Sequence, residues 1–112
     1  MSEKLYNLTQ LEELAGGDED FVRSMIATFL EHTPGQLEEI KANGASGNLS
    51  QVGALAHKIK PNIDLFGIEN IRETIREIER MGKGEEGGLE MQNHIKLLDQ
   101  VLNQVFIQLK QY

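Results

Sequence analysis

The C-terminal segment imposes the tightest constraint on the fold. Met91, Ile95, Leu98, Leu102, Val105, Leu109 and Tyr112 follow one another at spacings of 4, 3, 4, 3, 4 and 3. At about 100° per residue this spacing keeps all seven on one side of a helix, and a strand, with its period of two, cannot produce it. A seam of this kind packs against partner helices in a bundle.

The rest of the chain supplies those partners. Strict apolar alternation is absent, β-branched runs are few, and only two prolines occur. A short first helix is expected near Thr9, with Thr9 and Glu12 at capping-box spacing and Gly16-Gly17 as its stop. Asp18 is expected to cap a long second helix with a stripe of Phe21, Val22, Met25, Ile26, Phe29 and Leu30, continued by Leu37 and Ile40. Pro34 should kink it, and Gly44 to Gly47 should break the chain. Asn48 and Gln51 suggest a second capping box, opening a third helix that runs to about Phe66 and stops at Gly67. Ile68, Ile71, Ile75 and Ile78 mark a fourth helix ending near Gly82, with a flexible connection from Gly82 to Gly88. The fold expected is all-α: an antiparallel four-helix bundle with an additional short N-terminal helix, residues 1–112 forming one domain.

Composition narrows the function. At 112 residues the chain can bury a useful core, and 39% hydrophobic with 26% charged residues argues against disorder. A net charge of −7 leaves no basic excess to neutralise phosphates, so general nucleic-acid binding is not expected. The absence of cysteine excludes disulfides and thiolate metal sites and fits a reducing cytosol. No apolar run approaches the roughly 18 residues of a membrane span. Met1-Ser2-Glu3-Lys4-Leu5 lacks a hydrophobic signal core, so the expected location is cytoplasmic. The chain reads as a complete small protein, in effect a free-standing module.

His57 is the residue that asks for a function. On the third helix, Val52, Leu55, Ala56, Ile59, Ile63 and Phe66 form the apolar stripe, and His57 points roughly 160° from its middle. Gly53 and Ala54 lie one turn below, Lys60 and Pro61 one turn above, and Lys58 beside it. Gly53 costs about 1 kcal/mol relative to alanine inside a helix, a cost explained if a partner's backbone approaches there. Pro61 removes a backbone donor and should loosen the helix beyond the histidine. An imidazole among small side chains and positive charge is suited to being touched by another protein and to carrying an anion.

His57-Lys58-Ile59-Lys60, preceded by Ala56 and followed by Gly67, resembles the signature of histidine-containing phosphotransfer (HPt) domains of multistep phosphorelays, Ala-His-x-x-Lys-Gly and then a further glycine. Helix order and spacing are similar over the whole chain. Pro61 departs from the pattern, standing where the family usually has glycine. The resemblance implies that His57 is phosphorylated on its solvent-facing ring nitrogen and that Lys60 helps hold the phosphoryl group. The other ring nitrogen then needs an orienting acceptor. Glu79 is the candidate, about 40° from Ile75 at the edge of the fourth helix, where the family also places a polar side chain. Lys83, one turn on, would add positive field.

The expected function is a monomeric phosphocarrier between receiver-domain aspartates of a hybrid kinase and a response regulator, not an autonomous kinase. It would have no cofactor of its own, the magnesium being expected on the partner receiver. The docking face would comprise Gly53, Ala54, Lys58, Pro61 and Asp64, with parts of the first two helices. A helical adaptor that binds receivers without accepting phosphate is the alternative. A bundle metalloprotein is disfavoured, because Glu90 lies four residues before His94 and no second pair appears. His32 and His94 read as structural or solvated, Met25, Met81 and Met91 as core filler, and the glycines around Lys83 lack the order of a phosphate loop.

Overall fold

Five α-helices and one 3-10 turn make up the computed structural model, which describes residues 3–112; no strand occurs among them. The leaderless reading of Met1 and Ser2 lies outside the described residues. The helices are α1 (Thr9–Ala15), α2 (Glu19–Ser46), α3 (Leu49–Leu65), α4 (Arg72–Lys83) and α5 (Leu89–Lys110), with the 3-10 turn at Glu69–Ile71 leading into α4. Packing runs around a ring: α2 on α3, α3 on α4, α4 on α5 and α5 back on α2, with α1 against α2. This is the all-α bundle with a short leading helix that the periodicity demands.

The seam of α5 is buried from Met91 through Ile95, Leu98, Leu102 and Val105 to Leu109, joined by Val101 and Phe106. Tyr112 lies past the helix end and is exposed, so the seam stops one position early. All six stripe residues of α3 are buried, as are Ile68, Ile71, Ile75 and Ile78. In α2, Val22, Ile26, Phe29, Leu37 and Ile40 are buried, but Phe21 is exposed. Phe29 stacks on Phe66 at 4.4 Å between ring centroids and meets Phe106 edge-on at 5.7 Å, joining α2, the end of α3 and α5.

Several local expectations are corrected. Neither predicted capping box forms. Leu8, not Thr9, occupies the first cap without a side-chain bond, and Asn7 Oδ1 instead accepts from the Thr9 backbone N–H and hydroxyl. Asn48 makes no cap bond; its amide donates to Asn43 Oδ1 at 3.2 Å. Only Asp18 caps as expected, accepting from the Phe21 N–H. A cap contributes about 1 kcal/mol and a fully buried aliphatic side chain roughly 1.5–3, so burial holds these helix starts without the boxes. The break expected at Gly44 is absent. The helix continues to Ser46, and Gly44 instead clears space for Ile95, whose Cδ1 would lie 2.7 Å from a Cβ there. Both helices run through their prolines, Pro34 and Pro61, without ending.

Gly67 closes α3 for two reasons. Its φ of 58° is left-handed, and a Cβ would stand 2.6 Å from the Asn7 carbonyl oxygen. The neighbouring bond from Asn7 N–H to the Phe66 carbonyl at 2.9 Å draws the N-terminal segment across this corner. That segment is held to α5 by Gln108, which accepts from Leu5 N–H and donates to the Glu3 carbonyl.

Candidate functional site

The closest helix crossing sets the site. Gly53 of α3 and Gly82 of α4 meet backbone to backbone: a Cβ on Gly53 would lie 2.8 Å from Lys83 N, and one on Gly82 would lie 2.5 Å from Gly53 N. Both glycines are buried. The close approach expected of a partner at Gly53 is therefore made by this chain's own α4, and Gly53 does not lie on an exposed docking face. From that crossing α3 and α4 run antiparallel, with matched contacts one turn after another. His57 and Lys60 reach Glu79, and Asp64 reaches Arg76 at 2.6 Å and Arg72 at 3.5 Å.

His57 consequently sits at the edge of the α3–α4 contact, not on the far face of its helix. Its side chain is 64% exposed, yet Nδ1 lies 2.7 Å from Glu79 Oε2. Glu79 is buried, with its side chain 10% exposed, and three groups converge on its carboxylate. Lys60 Nζ donates to Oε1 at 2.7 Å, and Lys83 Nζ donates to Oε2 at 2.8 Å beside the histidine bond. Lys60 first, then Lys83 and the imidazole hold the Glu79 carboxyl down to about 2, against the opposing effect of burial. Glu79 is thus a carboxylate at neutral pH and can only accept. His57 Nδ1 must then carry the proton, which leaves the lone pair of the neutral ring on Nε2.

The arrangement offers a solvent-exposed imidazole with a fixed tautomer, a free nucleophilic nitrogen and two ammoniums within one side-chain length. Helix geometry singled out His57 and Glu79, the family resemblance added Lys60, and the fold brings all three together. Lys83 was anticipated only as added field, but it lies on the helix and makes a direct bond to Glu79. Lys60, expected to hold a phosphoryl group, is bound to Glu79 in this structure. Ala54, Lys58 and Pro61 are exposed on α3 around the histidine. Pro61, Asp64 and Leu65 share a shallow concavity with Gln10, Glu13 and the 64%-exposed Leu14 of α1. Asp64 is committed to the two arginines of α4.

The remaining histidines stand apart. His32 is exposed on α2. His94 is half-buried, with Nε2 3.7 Å from Glu90 Oε1. Glu77 joins them from α4, so that the ligand atoms of Glu77, Glu90 and His94 lie within 4.8 Å of one another, a convergence across helices that spacing along the chain did not reveal. Arg80 already neutralises that corner, with Nη2 2.7 Å from Glu77 Oε2, and draws the Glu77 carboxyl below its usual range. Among the described residues, no helix is long and apolar enough to cross a membrane.

In comparisons with known proteins, the family model described as Hpt domain matches residues 24–111. No curated protein and no solved structure matches the chain.

Proposed function

The chain belongs to the Hpt domain family, whose members carry out histidine phosphotransfer in phosphorelays and interact with receiver domains, and on that footing we propose that His57 is its phospho-acceptor and Nε2 the atom that receives the phosphoryl group. The supporting observation is the bond between His57 Nδ1 and the ionised Glu79, which leaves the exposed ring's other nitrogen as a free nucleophile. In the step proposed, the Nε2 lone pair forms the N–P bond to a receiver's aspartyl phosphate. The P–O bond breaks, and its electron pair leaves on the aspartate carboxylate. The Nδ1 proton stays on the ring against Glu79. Transfer to the next receiver is the reverse reaction on a different aspartate.

Such a transfer requires chiefly positioning and charge neutralisation. Lys60 and Lys83 supply the positive charge. The receiver would bring the carboxylates and the magnesium ion. The docking face is proposed to comprise Ala54, Lys58 and Pro61, continued by Leu14 and Leu65. Pro61 is compact and exposed, one turn beyond the histidine. A hybrid kinase and a response regulator are the proposed donor and recipient, and the cytoplasm the proposed location.

The test is intact mass after incubation with phosphoramidate and magnesium, for wild type and for His57→Gln. Phosphoramidate phosphorylates histidine directly, so no cognate receiver is needed. One acid-labile phosphoryl adduct, absent from a folded His57→Gln protein, is the expected result. An equal adduct on His57→Gln would refute the assignment. Receiver binding without any adduct would favour the adaptor instead.

A further inference from the structure

Glu79 sits where a neutral amide would suffice to orient an imidazole, yet it is a buried carboxylate that holds two lysines as well as the ring. The charge count changes when a phosphoryl group arrives. With a neutral imidazole, Glu79, Lys60 and Lys83 sum to one net positive charge. A doubly ionised phosphoryl group, on a ring that keeps its Nδ1 proton and so carries one positive charge, brings that sum to zero. With glutamine at position 79 the phosphorylated cluster would keep one net positive charge.

The ring proton matters equally. Attack by Nε2 with Nδ1–H retained produces a phosphoimidazolium. When its P–N bond breaks, the ring departs as neutral imidazole. If the Nδ1 proton is lost after phosphorylation, cleavage must expel an imidazolate, a far poorer leaving group. A carboxylate 2.7 Å from Nδ1 favours retention of the proton.

We infer that Glu79 is a positioning residue that keeps the phosphoryl group on His57 labile, by holding the Nδ1 proton on the ring and by sharing Lys60 and Lys83 with the phosphoryl oxygens. This rests on His57 being the phospho-acceptor and goes beyond it: the site is built to pass the group on, not to store it. Both ammoniums can serve two anions, because Lys83 is 59% and Lys60 27% exposed and each can swing toward the ring.

The experiment labels wild type, Glu79→Gln, Glu79→Asp and Lys83→Met with phosphoramidate, removes the donor, and follows loss of the adduct by intact mass at neutral pH. Removing one negative charge a few ångströms from the phosphoryl group should lengthen its half-life about tenfold in Glu79→Gln. Glu79→Asp, which keeps the charge, should decay near the wild-type rate. Lys83→Met, at an exposed position at the end of α4, should decay faster than wild type. Adding Lys60→Met and Lys83→Met to Glu79→Gln should shorten the half-life again, a response that a purely structural role for Glu79 would not give. The inference is overturned if Glu79→Gln decays as fast as wild type, if Glu79→Asp is slowed equally, or if Lys83→Met leaves the half-life unchanged. Absence of any His57-dependent adduct on wild type would instead overturn the phospho-acceptor reading beneath it.

Discussion

Replacing Gly53 by alanine sets two effects of opposite sign against each other. Inside a helix, glycine is about 1 kcal/mol less favourable than alanine, so at an open position the change stabilises. Here the new methyl would meet Lys83 N at 2.8 Å, Gly82 C at 3.0 Å and Gly82 Cα at 3.2 Å. These are backbone atoms in a buried crossing and cannot rotate away, so α4 must move. Overpacking of this kind costs about 1–3 kcal/mol, and rigid neighbours place it in the upper part of that range. The net expectation is a loss of about 1–2 kcal/mol, equivalent to roughly 5–10 °C in Tm for a chain of this size. Lys83 carries the nearest contact, so its bond to Glu79 should loosen as well, and phosphoramidate labelling should change with stability. Urea denaturation followed by circular dichroism measures the first effect, and intact mass the second. If Gly53→Ala is as stable as wild type or more so, the crossing is not as close as described and Gly53 returns to being a surface position.

Gly67→Ala should also destabilise by about 1–3 kcal/mol in the same denaturation assay, because it joins a left-handed φ to a methyl 2.6 Å from the Asn7 carbonyl. Lys60→Ala should lower the yield of phosphoramidate labelling without abolishing it, whereas His57→Gln abolishes it; equal labelling in Lys60→Ala would remove the lysine from the site. The Glu79 carboxyl, normally near 4.5, is depressed to about 2 in the folded protein, so its stabilising contribution is present above the ordinary carboxylate range and lost as pH falls toward 2. Stability curves of wild type and Glu79→Gln should therefore differ at neutral pH and converge between about pH 4.5 and 2; a constant difference across that range would contradict the lysine–carboxylate cluster.

The helix faces were legible because period alone fixes a face. The α3 stripe from Val52 to Phe66 and the α5 seam from Met91 to Leu109 follow from spacing, and so does the candidate status of His57 and Glu79. What spacing does not encode is which helix crosses another, and how closely. Gly53 and Gly82 lie 29 residues apart, and nothing local says that they touch. A signal existed nonetheless: Gly53 carries a conformational cost inside α3, and it and Gly82, near the end of the next helix, are most simply explained by each other. His57 was misplaced for the same reason. Counting only apolar side chains leaves Gly53 out of the buried stripe, which is wider toward α4 than its hydrophobic members indicate. Capping failed at Thr9 and Asn48 because cap patterns are weak next to burial. Asn7 and Asn43 offered equally good partners, and the strongly buried faces beyond did not depend on the box. The direct bond of Lys83 was not foreseen because glycines surround it, yet α4 extends one residue past Gly82 and carries it onto Glu79.

The account turns on a single atom, Nε2 of His57, and phosphorus–nitrogen coupled NMR on uniformly nitrogen-15 protein treated with phosphoramidate observes it directly. The predicted spectrum shows phosphorus coupled to Nε2 of His57, with Nδ1 still protonated against Glu79. Phosphorus on Nδ1 of His57, or on His32 or His94, would contradict it.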